Sequence, residues 1–270
     1  MKTVYYFVLL CLLSTTYACT KLNSDHPQAN MADEHATDLD SKSILHYADS
    51  VDKGLSQLAK STSLVYMLGD LSFYVDKYSD NGQPIVLIEH GYNGLSNNTK
   101  KYYFRNDSLI LETVRNELSS DNGTVLKDTR TYLRNNTVFK VENRTAADEA
   151  AIKNLPFIDL TLSEANTSDH SYLEKIKTLD QILSGSDKFD MVFENITTFP
   201  DSRYIMLKSK LQNSYTASIL VKEKDALIDS LLNSPIDFKD QKLNLKWIVQ
   251  DQEAVYVPVA SQTSAKGLKR

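Results

Sequence analysis

The sequence predicts an α+β fold: a helix-covered antiparallel β-meander sheet followed by a small β-barrel-like module. Three observations predict it. The stretch from Lys100 to Glu142 carries one unit written twice: Tyr103 matches Tyr132, Arg105 matches Arg134, Asn106 matches Asn135 and Leu109 matches Val138. Each copy reads strand, Asn-rich turn, strand. Ahead of it, Ile44, Ala48, Val51, Leu55 and Leu58 recur at helical spacing and define one apolar face. Behind it, strand-like segments recur between Met191 and Val259 with one helical segment among them.

The helix is expected over Ser43 to Lys60, with Asp40 or Ser41 as its cap, and its apolar face needs a sheet to cover. Leu64 to Val75 is apolar and reads as further helix that turns to strand from Leu71. Ser79-Asp80-Asn81-Gly82 separates Phe73–Tyr78 from Ile85–His90 as a hairpin turn. Gly91 to Asn98 reads as a Gly/Asn loop. Two further hairpins turn at Asn106-Asp107 and Asn135-Asn136, because Asn and Asp tolerate the left-handed backbone that tight turns need. Asp121-Asn122-Gly123 joins the two copies. Strict alternation assigns Leu109, Leu111 and Thr113 to one face and Ile110, Glu112 and Val114 to the other. The result is a meander of about six strands. This pattern of aromatic residues, Asn turn and aliphatic strand resembles repeats of envelope lipoproteins and membrane-occupation-type β-hairpin repeats. The resemblance covers about 45 residues and brings no catalytic residue with it.

Residues 42–186 are read as the helix-plus-meander domain, closed by helices over Ala146–Asn154 and Tyr172–Leu183. The second of these has Leu173, Ile176, Leu179 and Leu183 on its face, and Ser163 to Asp169 forms a loop between the two. Residues 187–260 are read as the small β-rich module. Its strands are expected at Met191–Ile196, Tyr204–Lys208, Tyr215–Val221, Leu243–Val249 and Val255–Val259, with a helix over Asp225–Leu232 that stops before Pro235. Five strands with a helix after the third resemble the element order of an oligonucleotide/oligosaccharide-binding (OB-like) barrel. On such a barrel Tyr204, Tyr215 and Trp247 form a candidate binding surface for stacking. The bland alternative is cross-strand packing of the same aromatics.

Residues 1–18 have the layout of a signal peptide: Lys2, an apolar run from Val4 to Leu13, then small and polar residues to Ala18. Thr16-Tyr17-Ala18 is followed directly by Cys19. This resembles a Bacteroidota-type bacterial lipoprotein signal. The resemblance implies cleavage before Cys19 and acylation of its thiol with palmitate-type chains, and so a membrane partner through the lipid anchor. It departs from the usual pattern at Thr16, where an aliphatic residue is common, and at the bulky Tyr17. Residues 19–41 are polar and read as a flexible tether, with His26 and His35 as solvated linker residues rather than a metal site. Residues 261–270, with Lys266, Lys269 and Arg270, read as a disordered basic tail.

Composition narrows the chemistry. The net charge is −5, against the basic surface that a nucleic-acid partner calls for, so no nucleic acid is expected. The two cysteines are Cys11, inside the leader, and Cys19, which leaves the body without a thiolate metal site or cysteine nucleophile. With 8 glycines and no phosphate-loop, serine-elbow or His-Glu-x-x-His motif, no cofactor, metal or catalytic residue is assigned. Glu89 and His90 are neighbours in a strand and so face opposite sides. Asn-x-Ser/Thr triplets at Asn97, Asn106, Asn122, Asn135, Asn143, Asn166 and Asn195 follow from turn chemistry in a bacterial chain and become glycosylation sites in a secreted eukaryotic one.

The expectation is a lipid-anchored protein of the bacterial cell envelope, at the outer membrane, acting as a non-enzymatic binding module for a protein, glycan or lipid. The alternatives are an envelope glycan hydrolase, which needs a pair of carboxylates facing one substrate, and a secreted glycoprotein.

Overall fold

The computed structural model describes residues 39–121, 123–135, 137–162, 169–212 and 214–258. The expected signal peptide, Cys19, the basic tail and all of the tether before Leu39 lie outside the described residues.

The first helix, α1, spans Ser41–Gly54, and Asp40 caps it by accepting a hydrogen bond from the Ser43 amide at 2.8 Å. It ends six residues earlier than its periodicity suggests. Gly54 is a poor helix former, and a single 3-10 turn, Leu55–Gln57, redirects the chain. Ala59–Thr62 is then strand β1, and Tyr66–Leu68 is β2 where helix was expected. Both pair antiparallel with β3 (Leu71–Asp80), one after the other along the same edge.

The meander follows as expected: β3, β4 (Gln83–Tyr92), β5 (Ser96–Arg105), β6 (Ser108–Ser120), β7 (Gly123–Arg134) and β8 (Thr137–Ala146), each antiparallel to the next. The predicted loop over Gly91–Asn98 shrinks to Asn93-Gly94-Leu95, because both strands run on and Gly91 pairs with Asn98. A short helix α2 (Glu149–Asn154), strand β9 (Ile158–Leu160) and helix α3 (Asp169–Ser184) follow.

The three Asn turns begin alike, with Asn81, Asn106 and Asn135 all at left-handed φ. Asn81 and Gly82 have φ of 49° and 87°, Asn106 and Asp107 have 50° and 61°, and Asn135 has 51°. These are the left-handed values of a two-residue hairpin loop. Beyond each turn the register slips by one residue: between Tyr78 and Ser79, Tyr103 and Phe104, and Tyr132 and Leu133. The residue left without a partner is Ile85, Ile110 or Phe139, always four positions after the turn Asn. The repeat therefore has a third copy, centred on Tyr78-Ser79-Asp80-Asn81-Gly82, which the sequence comparison missed. Each bulge interrupts the strict alternation of side chains. Leu109 and Leu111, assigned to one face by alternation, pack in different cores; Ile110 and Leu111 share one.

The C-terminal segment contributes β10 (Met191–Thr198), β11 (Arg203–Ser209), β12 (Thr216–Leu220), α4 (Ala226–Asn233), a single turn α5 (Pro235–Phe238), β13 (Trp247–Gln250) and β14 (Glu253–Tyr256). The expected strand over Leu243–Val249 is a strand only from Trp247, although Leu245 is buried within the extended segment before it. These strands do not close into a barrel. Instead β12 pairs with β2, so a single open sheet runs β10-β11-β12-β2-β3-β4-β5-β6-β7-β8-β9. β14 adds to β12 in parallel, beyond the point where β2 leaves off, and β13 pairs with β14. The reason is geometric: β11 takes one edge of β12, and β2 and β14 share the other end to end.

Two cores lie on opposite faces of this sheet. On one, Ile44, Ala48 and Val51 of α1 pack against Val86, Ile88, Tyr103, Ile110, Leu111 and Tyr132. On the other, Tyr172, Ile176, Leu179 and Ile182 of α3 pack against Phe73, Val75, Leu87 and Tyr102, and the same core continues through Phe193, Ile205, Ile219 and Ile228. Leu173, expected on the buried stripe of α3, is 40% exposed. Tyr172 and Ile182 turn inward in its place. The broad α+β expectation, a large antiparallel sheet covered by helices, describes this architecture.

Candidate functional site

The second core is incomplete where α3 crosses the strands. A cavity of about 430 Å³ remains between β3–β5 and the helix, within the range of small-molecule sites. Its floor is built by alternate residues of three strands: Leu71 and Phe73, Glu89 and Gly91, then Ser96, Asn98 and Lys100. Its roof is Lys175, Thr178, Leu179 and Ile182, which recur along one face of α3. Phe189 and Tyr215 close one end. Gly91 matters here: nothing lies within 4 Å of where its Cβ would stand except Asn98 Cβ and O, both at 4.0 Å. The bare backbone leaves the middle of the floor open.

The two ends differ in chemistry. The Phe189 end is an aromatic cluster: Tyr215 stacks on Phe189 with centroids 4.7 Å apart, and Phe73 meets Tyr215 edge-on at 5.5 Å. At the opposite end, Lys100 is ion-paired with Glu89 at 2.9 Å, and Lys175 reaches Glu112 at 3.5 Å. Tyr172 donates to Glu112 at 3.0 Å and Tyr102 donates to Glu89 at 3.3 Å. Burial, with the carboxylates of Glu112 and Glu89, pushes the Tyr102 phenol far above the usual range, so it stays a neutral donor. Burial, opposed by Glu112 and reinforced by neighbouring Lys100, holds the Lys175 ammonium below the usual lysine range. A largely apolar trough with ion-paired lysines at one end is suited to holding a molecule.

The residues singled out from sequence are not brought together. Tyr215 lines the cavity, but Tyr204 lies on the other face of its strand. Its neighbours Ile205 and Leu207 point into the core, while Tyr204 donates to Glu253 at 3.1 Å. Trp247 packs against the same core from beyond β2 and donates from Nε1 to the Ser63 carbonyl at 3.0 Å. These aromatics do not share one stacking platform. Cys19 lies outside the described residues. Of the cavity residues, Glu89 was considered only as the neighbour of His90, and Gly91, Lys100 and Lys175 were not singled out, because three strands and a helix distant in sequence must meet before they form a group. The one legible hint was Lys175 beside the apolar positions Ile176 and Leu179.

Two other charged clusters serve the fold. Glu89 and His90 face opposite sides as expected, and His90 stacks on Tyr74 at 4.4 Å with Nε2 3.3 Å from Asp76 Oδ2, off the line of a hydrogen bond. Asp76 is 4% exposed and is held by Thr62 at 2.6 Å and Lys60 at 3.1 Å. A smaller cleft of about 210 Å³ beside α1 is lined by cations that are already paired: Lys101 with Asp52, Arg115 and Arg144 with Asp128. Among the described residues no group of three or more His, Cys, Asp or Glu is placed to hold a metal ion, and no helix is long and apolar enough to cross a membrane.

Comparison with known proteins returns no match. No family model, curated protein or solved structure is similar to this chain.

Proposed function

We propose that the protein is a lipid-anchored binding protein of the bacterial cell envelope, held at the outer membrane through Cys19, whose ligand site is the cavity between α3 and β3–β5. The observation that carries the binding reading is the lining itself: a trough of about 430 Å³ walled by packed strands and a helix, with mostly apolar walls and its charged residues at one end. The address rests on the leader that ends in Cys19 and on its likeness to bacterial lipoprotein signals. A small OB-like barrel plays no part in this reading, since Tyr204, Tyr215 and Trp247 are dispersed.

The hydrolase alternative asks for two carboxylates facing one substrate. In the cavity Glu89 is the one carboxylate in the lining, and it is paired with Lys100, while Glu112 is engaged outside the lining by Tyr172 and Lys175. That arrangement favours binding over hydrolysis.

Two measurements test the proposal. The intact mass of protein purified from its native membrane, beside Cys19→Ala, is expected to show a chain beginning at Cys19 and carrying acyl chains; a mass without lipid removes the anchor. Native mass spectrometry of the wild type and Gly91→Leu addresses the site. The added side chain fills the floor of the cavity, so a co-purifying ligand is expected on the wild type only. Equal occupancy of both places the ligand elsewhere.

A further inference from the structure

The ionisable side chains of the cavity are gathered at one end. Two lysines, Lys100 and Lys175, line it beside one carboxylate residue, Glu89, while Glu112 stands behind Lys175 outside the lining. Lys100 and Glu89 satisfy each other at 2.9 Å. Lys175 is the less well served: its carboxylate partner, Glu112, is 3.5 Å away and is also the acceptor for the Tyr172 hydroxyl. Its ammonium lies 5.4 Å from the centre of the Tyr102 ring. A cation over an aromatic face, partly withdrawn from water and only loosely paired, gains from an incoming anion.

The rest of the lining limits what that anion can be attached to. Beyond the lysines the walls are Leu179, Ile182, Phe73, Phe189, Leu71 and Tyr215, with the bare Gly91 backbone beneath. The uncharged polar side chains Tyr92, Ser96, Asn98 and Thr178 also line it, and each is already hydrogen-bonded within the protein, to Gln252, Asn93, Asn116 and Glu174 respectively. A sugar or peptide would bury many polar groups against these walls without partners, at a cost for each. A hydrocarbon chain would not.

We propose that the cavity takes a single-chain amphiphile with a carboxylate head, of the fatty-acid class, with the head at Lys175 and Lys100 and the chain running over Gly91 towards Phe189 and Tyr215. This rests on the binding role proposed for the cavity. The anionic head is selected because two ammonium groups, Lys175 and Lys100, face the cavity against the single lining carboxylate Glu89, with Glu112 behind the lining and 3.5 Å from Lys175. Lys175 is then the specificity-determining residue and Gly91 the residue that admits the chain.

The test uses the full chain carrying Cys19→Ala, so that no acyl anchor of its own competes. It is titrated by calorimetry with dodecanoate, with 1-dodecanol and with dodecyltrimethylammonium. Dodecanoate is expected to bind more tightly than the alcohol, and the cation least. Lys175→Met is expected to weaken dodecanoate by about tenfold and to leave the alcohol unchanged. Gly91→Leu, whose Cβ meets no neighbour closer than 4.0 Å and whose fold is checked by circular dichroism, is expected to abolish both. Equal binding of dodecanoate and dodecanol, no selective effect of Lys175→Met, or preference for the cation overturns the carboxylate proposal while leaving the cavity a binding site. Absence of binding by all three probes overturns the proposal as well. Binding that is indifferent to Gly91→Leu overturns both the proposal and the cavity reading beneath it.

Discussion

Tyr103 and Tyr132, which hold matching places in two copies of the repeat, both pair across strands with the same residue, Leu111, one from each side. All three side chains are buried in the core beneath α1. The two phenols end differently. Tyr103 donates to both carboxylate oxygens of Asp52 on α1 at 3.1 Å, and Tyr132 donates to Glu142 on the next strand at 2.7 Å. One copy of the repeat thus holds the covering helix and the other holds the sheet.

Removing each hydroxyl is expected to separate these roles. The Glu142 side chain is 8% exposed, whereas that of Asp52 is 37% exposed and can turn to water. Tyr132→Phe is therefore expected to cost about 1–3 kcal/mol and Tyr103→Phe under about 1 kcal/mol. Urea unfolding followed by circular dichroism measures both. The reverse order would mean that helix docking, not the sheet, limits stability.

The middle hairpin turn is less than ideal. Asp107 sits at φ 61° directly after Asn106 at 50°, where glycine has no steric penalty. Asp107→Gly is expected to raise stability by about 0.5–1 kcal/mol, since it creates the Asn-Gly pair already present at Asn81-Gly82. A loss in the thermal midpoint would show that the Asp107 side chain holds more than its backbone strain costs.

Acid is expected to weaken the sheet through Glu142 and Asp76. Burial raises the Glu142 pKa, but hydrogen bonds from Lys140, Tyr132 and Arg130 outweigh it and hold the group below its usual 4.5. Burial also opposes ionisation of Asp76, and His90, Thr62 and Lys60 together hold it below 3.8. A depressed folded pKa contributes stability that is present above the unfolded value and is lost as pH falls through the folded one. Unfolding free energy is thus expected to fall on acidification below about pH 4.5. Glu142→Gln should be less stable than wild type at pH 7 and nearer to it at pH 3. A constant difference across that range would exclude this linkage.

Asp180 behaves in the opposite sense. Burial against β3, only partly offset by Lys77, raises its pKa from 3.8 to about 6. A carboxyl with a raised folded pKa costs stability as pH rises from the unfolded value through the folded one. Asp180→Asn is expected to stabilise the protein at pH 7 by roughly 1–2 kcal/mol, after allowance for solvent screening at this half-buried position. The gain should vanish below about pH 4. A stabilisation that persists at pH 3.5 would point to packing instead of charge.

Much of this protein was legible one element at a time. The α1 stripe of Ile44, Ala48 and Val51, its Asp40 cap, the Asn turns and the six meander strands are local features. They depend on periodicity and on backbone angles that few residues tolerate. The same local logic failed at Leu109 and Leu111, because a one-residue bulge, set by pairing with the neighbouring strand, reverses which face follows. It failed again for β10–β14, where five strands resembled a separate barrel. Whether strands close on themselves or extend a neighbour is decided by which edge is free, and the free edge of β12 is met by β2, nearly 150 residues earlier. The cavity belongs to the same class: Glu89, Lys100 and Lys175 stand together because hairpin register aligns two strands and α3 lies across them. The sequence by itself determined α1, the Asn turns and the meander strands. Only the tertiary structure decided the single open sheet and the site within it, since both arise from pairings between segments with no local relation to one another.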